Sequence, residues 1–167
     1  YDKDLIRLAS EESGINERFF GRVDEKLQGS FLRKGGVYKG ELISPDSSDF
    51  VSDQNLFNYQ AKIIKQLADK EPAIIVGRCA DYILRDRDDV LRVFIFSDLE
   101  TATKNVVEMY GISEKEAQRI IAKTDKERSE YYRHYTGTDW ENAKNYHISL
   151  DTSRLSYDEC VEIIKGY

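Results

Sequence analysis

Residues 73–84 read AIIVGRCADYIL. Ala73, Ile74, Ile75 and Val76 form a short unbroken apolar run rich in β-branched side chains. This is the pattern of a strand covered on both faces, not of one that alternates between core and water. Gly77 breaks the run, and residues 80–84 open a helical pattern. A buried strand that turns into a helix is a building unit of parallel α/β sheets, whose ligands bind in the crevice outside the carboxyl ends of the strands. Arg78 therefore stands at the expected mouth of a site. Its neighbour Cys79 is read as a packed thiol: a flanking arginine can acidify it, but packing is the commoner use of a lone cysteine.

Upstream of this run, Leu56, Phe57, Ala61, Ile63, Ile64, Leu67 and Ala68 recur at helical spacing over residues 54–70, and Pro72 marks the exit. Before them, residues 30–53 carry Gly35-Gly36, Gly40, Pro45 and a Ser/Asp cluster. They read as a long loop or loose hairpin around Val37-Tyr38, either a flexible insertion or a flap over a substrate. Two helices open the chain. One is capped by Asp2 or Asp4 and stops near Gly14; the other runs from Asn16 to Gly29 with Phe19, Phe20, Val23 and Leu27 on one face.

Downstream, the charged turn at 85–89 leads to a second buried strand over 91–96, and a third is expected over 146–151. Between these strands lie a helix capped by Ser97 or Asp98 that closes at Gly111, and one opened by a Ser113/Glu116 capping box that reaches about Tyr132. A last helix begins with the same device in Ser156 and Glu159 and is expected to bury Cys160, Val161, Ile163 and Ile164. Helices alternating with short apolar strands predict an α/β fold in a single domain, with a parallel sheet and right-handed crossovers.

Composition narrows the function. A chain of 167 residues is long enough for one domain with a core. A net charge of −6 disfavours a general nucleic-acid binder, which needs a basic field to displace counterions. No apolar run approaches the roughly 20 residues that span a bilayer, and no signal peptide is visible. Cys79 and Cys160 lack metal spacing and fit a reduced, cytoplasmic chain.

Within residues 115–133, Arg119, Lys123, Lys126, Glu130 and Arg133 share one narrow face, opposite Ala117, Ile120, Ile121, Thr124 and Tyr131. Asp125, Arg128 and Tyr132 project toward the packing side. A buried Arg128 needs a carboxylate or a bound anion. Its plain reading is an Asp125–Arg128 ion pair that holds the helix end. His134 and His147 stand apart from any ligand set, so no metal role is assigned to them, and Trp140 is read as a packing residue.

Several stretches together resemble the cytidylate kinase-like family of P-loop nucleoside monophosphate kinases. They are YDKDLI at 1–6, IIVGRCADYIL at 74–84, VFIF at 93–96, YGISEKEA at 110–117 and KTDKERSEYYRHYTG at 123–137. The resemblance spans nearly the whole chain and implies a three-layer α/β/α fold with a parallel sheet. It also implies a flap over 30–53, a lid-like helical region over about 112–140, and phosphoryl transfer from ATP with Mg²⁺ to a nucleoside monophosphate or related phosphorylated acceptor. By position, Asp2 resembles the acidic residue that faces the acceptor, and Arg78 the arginine that holds the acceptor phosphate. Asp125 and Arg128 match an Asp-x-x-Arg pair on the acceptor. Arg128, with Lys123 and Arg133 of the lid region, forms the expected catalytic cation set, and Lys126 lies among them. Thr152, Ser153 and Arg154 follow the last strand, where the adenine of ATP is expected.

There are three departures from the family pattern. Cytidylate kinases proper have Asp where Cys79 stands and an arginine where Ile121 stands, which loosens the expectation of CMP as acceptor. In addition, residues 1–167 contain no GxxxxGK[ST] phosphate loop. In the family this loop follows a central strand just upstream of YDKDLI. The sequence, which opens on Tyr1, is therefore expected to begin after that strand, with the loop present in the intact protein. The alternatives are a partner chain that supplies the strand in an oligomer, and a non-catalytic nucleotide-binding or regulatory module of the same fold. A helical nucleic-acid binder using the 115–133 stripe is a third class, and the acidic balance counts against it.

Overall fold

The computed structural model describes residue 1, residues 4–22 and residues 36–167. Asp2, the helix end expected at Val23, Leu27 and Gly29, and the first part of the 30–53 loop lie outside the described residues. The chain divides into two compact units, Tyr1–Val90 with Glu127–Trp140, and Leu91–Lys126 with Glu141–Tyr167.

The first unit is helical among the described residues. Helix α1 (Asp4–Ser13) ends where Gly14 takes φ 71° and returns its N–H to the Ser10 carbonyl at 2.9 Å. That left-handed position carries no steric cost for glycine. After α2 (Glu17–Arg22) and the 36–52 segment comes α3 (Asp53–Lys70), capped by the Ser52 hydroxyl, which accepts from Asn55 N at 3.3 Å. Helix α3 is the spine of this unit. Its Leu56, Phe57 and Ile64 are fully buried with Leu5, Ala9 and Phe20 of the first two helices, and the short α4 (Ala80–Ile83) adds Ile83 to the same core.

Gln60 is the exception on this spine. It is completely buried, and among the described residues neither atom of its amide has a hydrogen-bond partner. An unpaired buried amide costs more than the apolar side chain of equal shape that could replace it. Gln60→Met is therefore expected to raise stability by about 1 kcal/mol, measured as a higher urea midpoint at unchanged slope. A destabilised Gln60→Met protein would mean that the amide is satisfied in solution.

The second unit holds a parallel pair, β1 (Val93–Phe96) and β2 (Ile148–Asp151), in a register that sets Val93 opposite Ile148 and Phe96 opposite Asp151. Helix α5 (Leu99–Tyr110) begins at Asp98, whose carboxylate accepts from Thr101 N at 2.7 Å and is thereby held below the usual carboxylate range. It ends at Gly111 with φ 64°. Helix α6 (Glu114–Thr136) gives its residues up to Lys126 to this unit and those from Glu127 to the first. It overruns the expected end at Tyr132 because no helix breaker intervenes before Gly137, at φ 72°. A short 3₁₀ turn (Ala143–Asn145) precedes β2, and α7 (Tyr157–Gly166) opens with both halves of the Ser156/Glu159 capping box in place.

Helices with a small parallel sheet make this an α/β chain, but the expected burial of its strands is not found. The strand expected over residues 73–76 is not among the strands of the structure, and the run is not covered: Ile74 is 82% and Val76 57% exposed. The backbone bonds of this run reach Tyr1, whose carbonyl accepts from Val76 N at 3.0 Å and whose backbone nitrogen donates to the Ile74 carbonyl. An apolar strand is buried only when neighbours flank both edges and helices cover both faces. Among the described residues, the backbone bonds of this run reach Tyr1 alone. Ile95 of β1 is likewise 55% exposed, and in α7 Val161 and Ile163 lie at the surface, so that Cys160 is the buried residue of that helix. Among the described residues, no helix is long and apolar enough to cross a membrane.

Candidate functional site

The turn after residues 73–76 is unusual. Gly77, Arg78 and Cys79 have φ of 71°, 53° and 56°, three consecutive left-handed residues. Glycine adopts this freely, but the conformation costs an L-residue with a Cβ roughly 1–2 kcal/mol. Two such residues in succession mark a turn held by its surroundings. Ala80 N donates to the Gly77 carbonyl at 3.1 Å, and Ile83 N to the Cys79 carbonyl at 2.9 Å, so the turn runs directly into α4. Arg78 is only 3% exposed. It therefore does not stand open at a mouth as its place in the sequence implied: the left-handed turn carries a side chain that is almost wholly buried.

The C-terminal part of α6 packs into the same unit. Tyr131, Tyr132, Tyr135 and Thr136 are buried. Tyr135 lies flat on Phe57, with ring centroids 3.8 Å apart and planes 4° from parallel. Its hydroxyl donates to the Asp53 carbonyl at 3.2 Å, and its own carbonyl accepts from Tyr38 N at 2.8 Å. Burial pushes the phenol far above its ordinary pKa, so it stays a donor. Tyr132 donates to Asp81 Oδ2 at 2.6 Å. His134, half-buried against the Tyr135 ring, has its pKa lowered by desolvation.

The remaining cations of α6 are outside. Arg128 and Asp125, expected on the packed side, are both exposed, as are Lys123 and Lys126. No ion pair among the described residues involves Asp125, so the Asp125–Arg128 pair does not form. A long arginine can lay its stem along a packed face and keep its head in water, and the wheel position of Arg128 does not distinguish this from burial. Arg133 is exposed and ion-paired with Asp139. Trp140 packs on the core of the first unit, as expected.

In the second unit, Thr152 and Ser153 close the ends of the two strands. The Thr152 hydroxyl donates to the Phe96 carbonyl at 3.0 Å, and the Ser153 hydroxyl accepts from Asp98 N at 2.7 Å. Arg154 extends into solvent, with Asp151 at 3.7 Å. Among the described residues no group of three or more His, Cys, Asp and Glu side chains is placed to hold a metal ion.

Residues 1–154 match the cytidylate kinase-like family. The chain belongs to that family. A cytidylate kinase from Methanopyrus kandleri is 28% identical over 170 residues, covering 97% of this chain and 84% of the relative. A crystal structure of an uncharacterized protein from Eubacterium ventriosum is similar at a TM-score of 0.66 and 34% identity, covering 70% of this chain and 73% of that one.

The pattern of this cytidylate kinase-like chain did not single out what holds the 36–52 segment. Three amides of α3 grip its main chain. Gln54 Oε1 accepts from Gly36 N at 3.1 Å, and Asn55 accepts from Ile43 N at 2.8 Å while donating to the Phe50 carbonyl at 2.8 Å. Asn58 donates to the Glu41 carbonyl. The signal was present as amides at 54, 55 and 58 beside the apolar stripe, where a helix facing only core or water has no use for them. Between this segment and α3 lies a cleft of about 220 Å³ lined by Tyr38, Gly40, Leu42, Asn58, Lys62 and Lys65. It falls below the roughly 300 Å³ at which small-molecule pockets begin, so it is too small for a nucleotide. Asp81 was also missed, because a single carboxylate at the start of a short helix carries no sequence signature.

Proposed function

We propose that this protein is an ATP-dependent kinase whose acceptor is a nucleoside monophosphate or a closely related small phosphorylated molecule. Family membership supports the reaction class, with the curated relative named a cytidylate kinase. The observation that carries the site is the left-handed turn at 77–79, which spends backbone strain to hold a guanidinium inside the protein. For the intact domain this reading entails a three-layer, P-loop kinase-like sheet in a single kinase-like domain, with 30–53 as flap and about 112–140 as lid.

The roles follow from chemistry. Phosphoryl transfer proceeds through a loose transition state, and catalysis is mostly positioning and neutralisation of charge. A buried, fixed guanidinium presents two parallel N–H donors to an acceptor phosphate without reorganising, which suits Arg78. Arg128 is exposed on α6, and its role on the same phosphate comes to this reading from the Asp-x-x-Arg pattern of the family. Asp125 as an acceptor contact, and Lys123 and Arg133 as lid cations, come to this reading from the family pattern, as does Asp2. For Arg133 the role requires exchange of its Asp139 partner for phosphate.

Donor ATP with Mg²⁺ would supply the transferred phosphoryl group. Residues 1–167 fit it only at the adenine end. Arg154 is exposed where a planar base could stack, but the Thr152 and Ser153 hydroxyls are committed to the backbone, and no GxxxxGK[ST] cradle for the triphosphate occurs in these residues. Mg²⁺ needs few protein ligands when phosphates supply the rest. The test is ADP release by the intact protein with Mg·ATP and a panel of CMP, UMP, dCMP, AMP and GMP. Turnover with one or more is expected. Nucleotide binding without turnover of any acceptor would favour the non-catalytic module of the same fold.

A further inference from the structure

We infer that Asp81 and Tyr132 form a positioning pair that holds the Arg78 turn in register with the Arg128 helix; this rests on the reading of Arg78 and Arg128 as acceptor-phosphate ligands. The Tyr132 hydroxyl meets Asp81 Oδ2 at 2.6 Å across 51 residues of sequence, and Tyr132 is 4% exposed. That length is typical of an O–H donor on a carboxylate, a bond about twice as strong as one between neutral groups. Its two ends are placed for the task. Asp81 lies three residues after Arg78, in the first turn of α4, and Tyr132 lies four after Arg128, one turn along α6 on the same side. The bond therefore joins the two short segments that carry the guanidinia.

Simple attachment of the helix does not account for it. The end of α6 is already anchored by the Tyr135–Phe57 stack, the Tyr135 hydroxyl on Asp53 and the Tyr38 amide on the Tyr135 carbonyl. A phenylalanine at 132 would fill the same space. What the hydroxyl adds is a fixed distance between α4 and α6, and two arginines that share one phosphate need their separation held to within about 0.5 Å.

The test is steady-state kinetics of Tyr132→Phe and Asp81→Ala with whichever acceptor the panel identifies. Each is expected to raise the acceptor KM about 10-fold while leaving the ATP KM within twofold of wild type. The double variant should be no worse than Asp81→Ala alone, since that change already removes the bond that Tyr132→Phe would take away. Asp81→Asn, which keeps an acceptor oxygen, should recover part of the loss. A Tyr132→Phe enzyme with the wild-type acceptor KM, or acceptor and ATP constants that rise together, overturns the inference and leaves the kinase reading standing. A wild-type protein that turns over no acceptor removes the kinase reading and the inference with it.

Discussion

Arg78→Ala is expected to lower kcat/KM for the acceptor about 10²- to 10³-fold, the loss typical of removing a preorganised donor aimed at developing charge. The side chain is 3% exposed in a turn whose backbone is left-handed on both sides of it, so its direction is set by the fold before any ligand arrives. Because it is interior, truncation also leaves a void and strands whatever charge faces it, and the alanine protein will be less stable. Arg78→Lys separates the two effects. Lysine keeps the charge and most of the volume but has no planar fork, and an arginine–lysine exchange at a bidentate site is not conservative. The lysine protein is therefore expected to stay folded, with an unchanged circular dichroism spectrum, and to lose at least about 10-fold in acceptor KM. Wild-type kinetics in folded Arg78→Lys would sink the clamp assignment.

The left-handed turn also explains why so much of the chain was legible and this residue only half so. Helix limits follow local chemistry. Gly14 and Gly111 end helices in left-handed conformations, and Asp98 and Ser156 cap them through their side chains, so spacing and capping residues located these ends, while the Ser52 cap and the Gly137 stop were not read from the sequence. Burial depends on what lies across from a segment. The runs at 73–76 and 93–96 are apolar enough for a sheet interior, yet Ile74, Val76 and Ile95 are exposed among the described residues. A wheel placed Tyr131 and Tyr132 correctly and Arg128 wrongly, since a guanidinium on a long stem can leave the face its Cα occupies. The interior position of Arg78 was hidden for another reason. Two consecutive non-glycine residues at positive φ are improbable from sequence, and only the surrounding fold makes them affordable.

Tyr135→Ala is expected to cost about 3–5 kcal/mol of stability, the range for deleting a large aromatic from a close-packed core. Tyr135 is completely buried, stacked on Phe57 and edge-on to Tyr131, with the ring centroids of the latter pair 4.8 Å apart. Tyr135→Phe isolates the hydroxyl, whose bond to the Asp53 carbonyl is long at 3.2 Å, and should cost only about 1 kcal/mol. The difference between the two variants is then the packing of the ring. The alanine protein should also loosen the 36–52 segment, because the Tyr135 carbonyl accepts from Tyr38 N and the Tyr38 ring packs edge-on to Phe57 at 5.5 Å. Amide hydrogen exchange at Tyr38 should accelerate in Tyr135→Ala more than in Tyr135→Phe, under conditions where both proteins remain folded. The Asn55 contacts to Ile43 and Phe50 do not involve Tyr135, so protection at the Ile43 amide should change less. An alanine protein within 1 kcal/mol of wild type, or no acceleration at Tyr38, would show that the α3 amides alone hold this segment. The observed geometry instead divides the work, with Asn55 and Asn58 fixing the middle of the segment and Tyr135 fixing its start to the helix that carries Arg128.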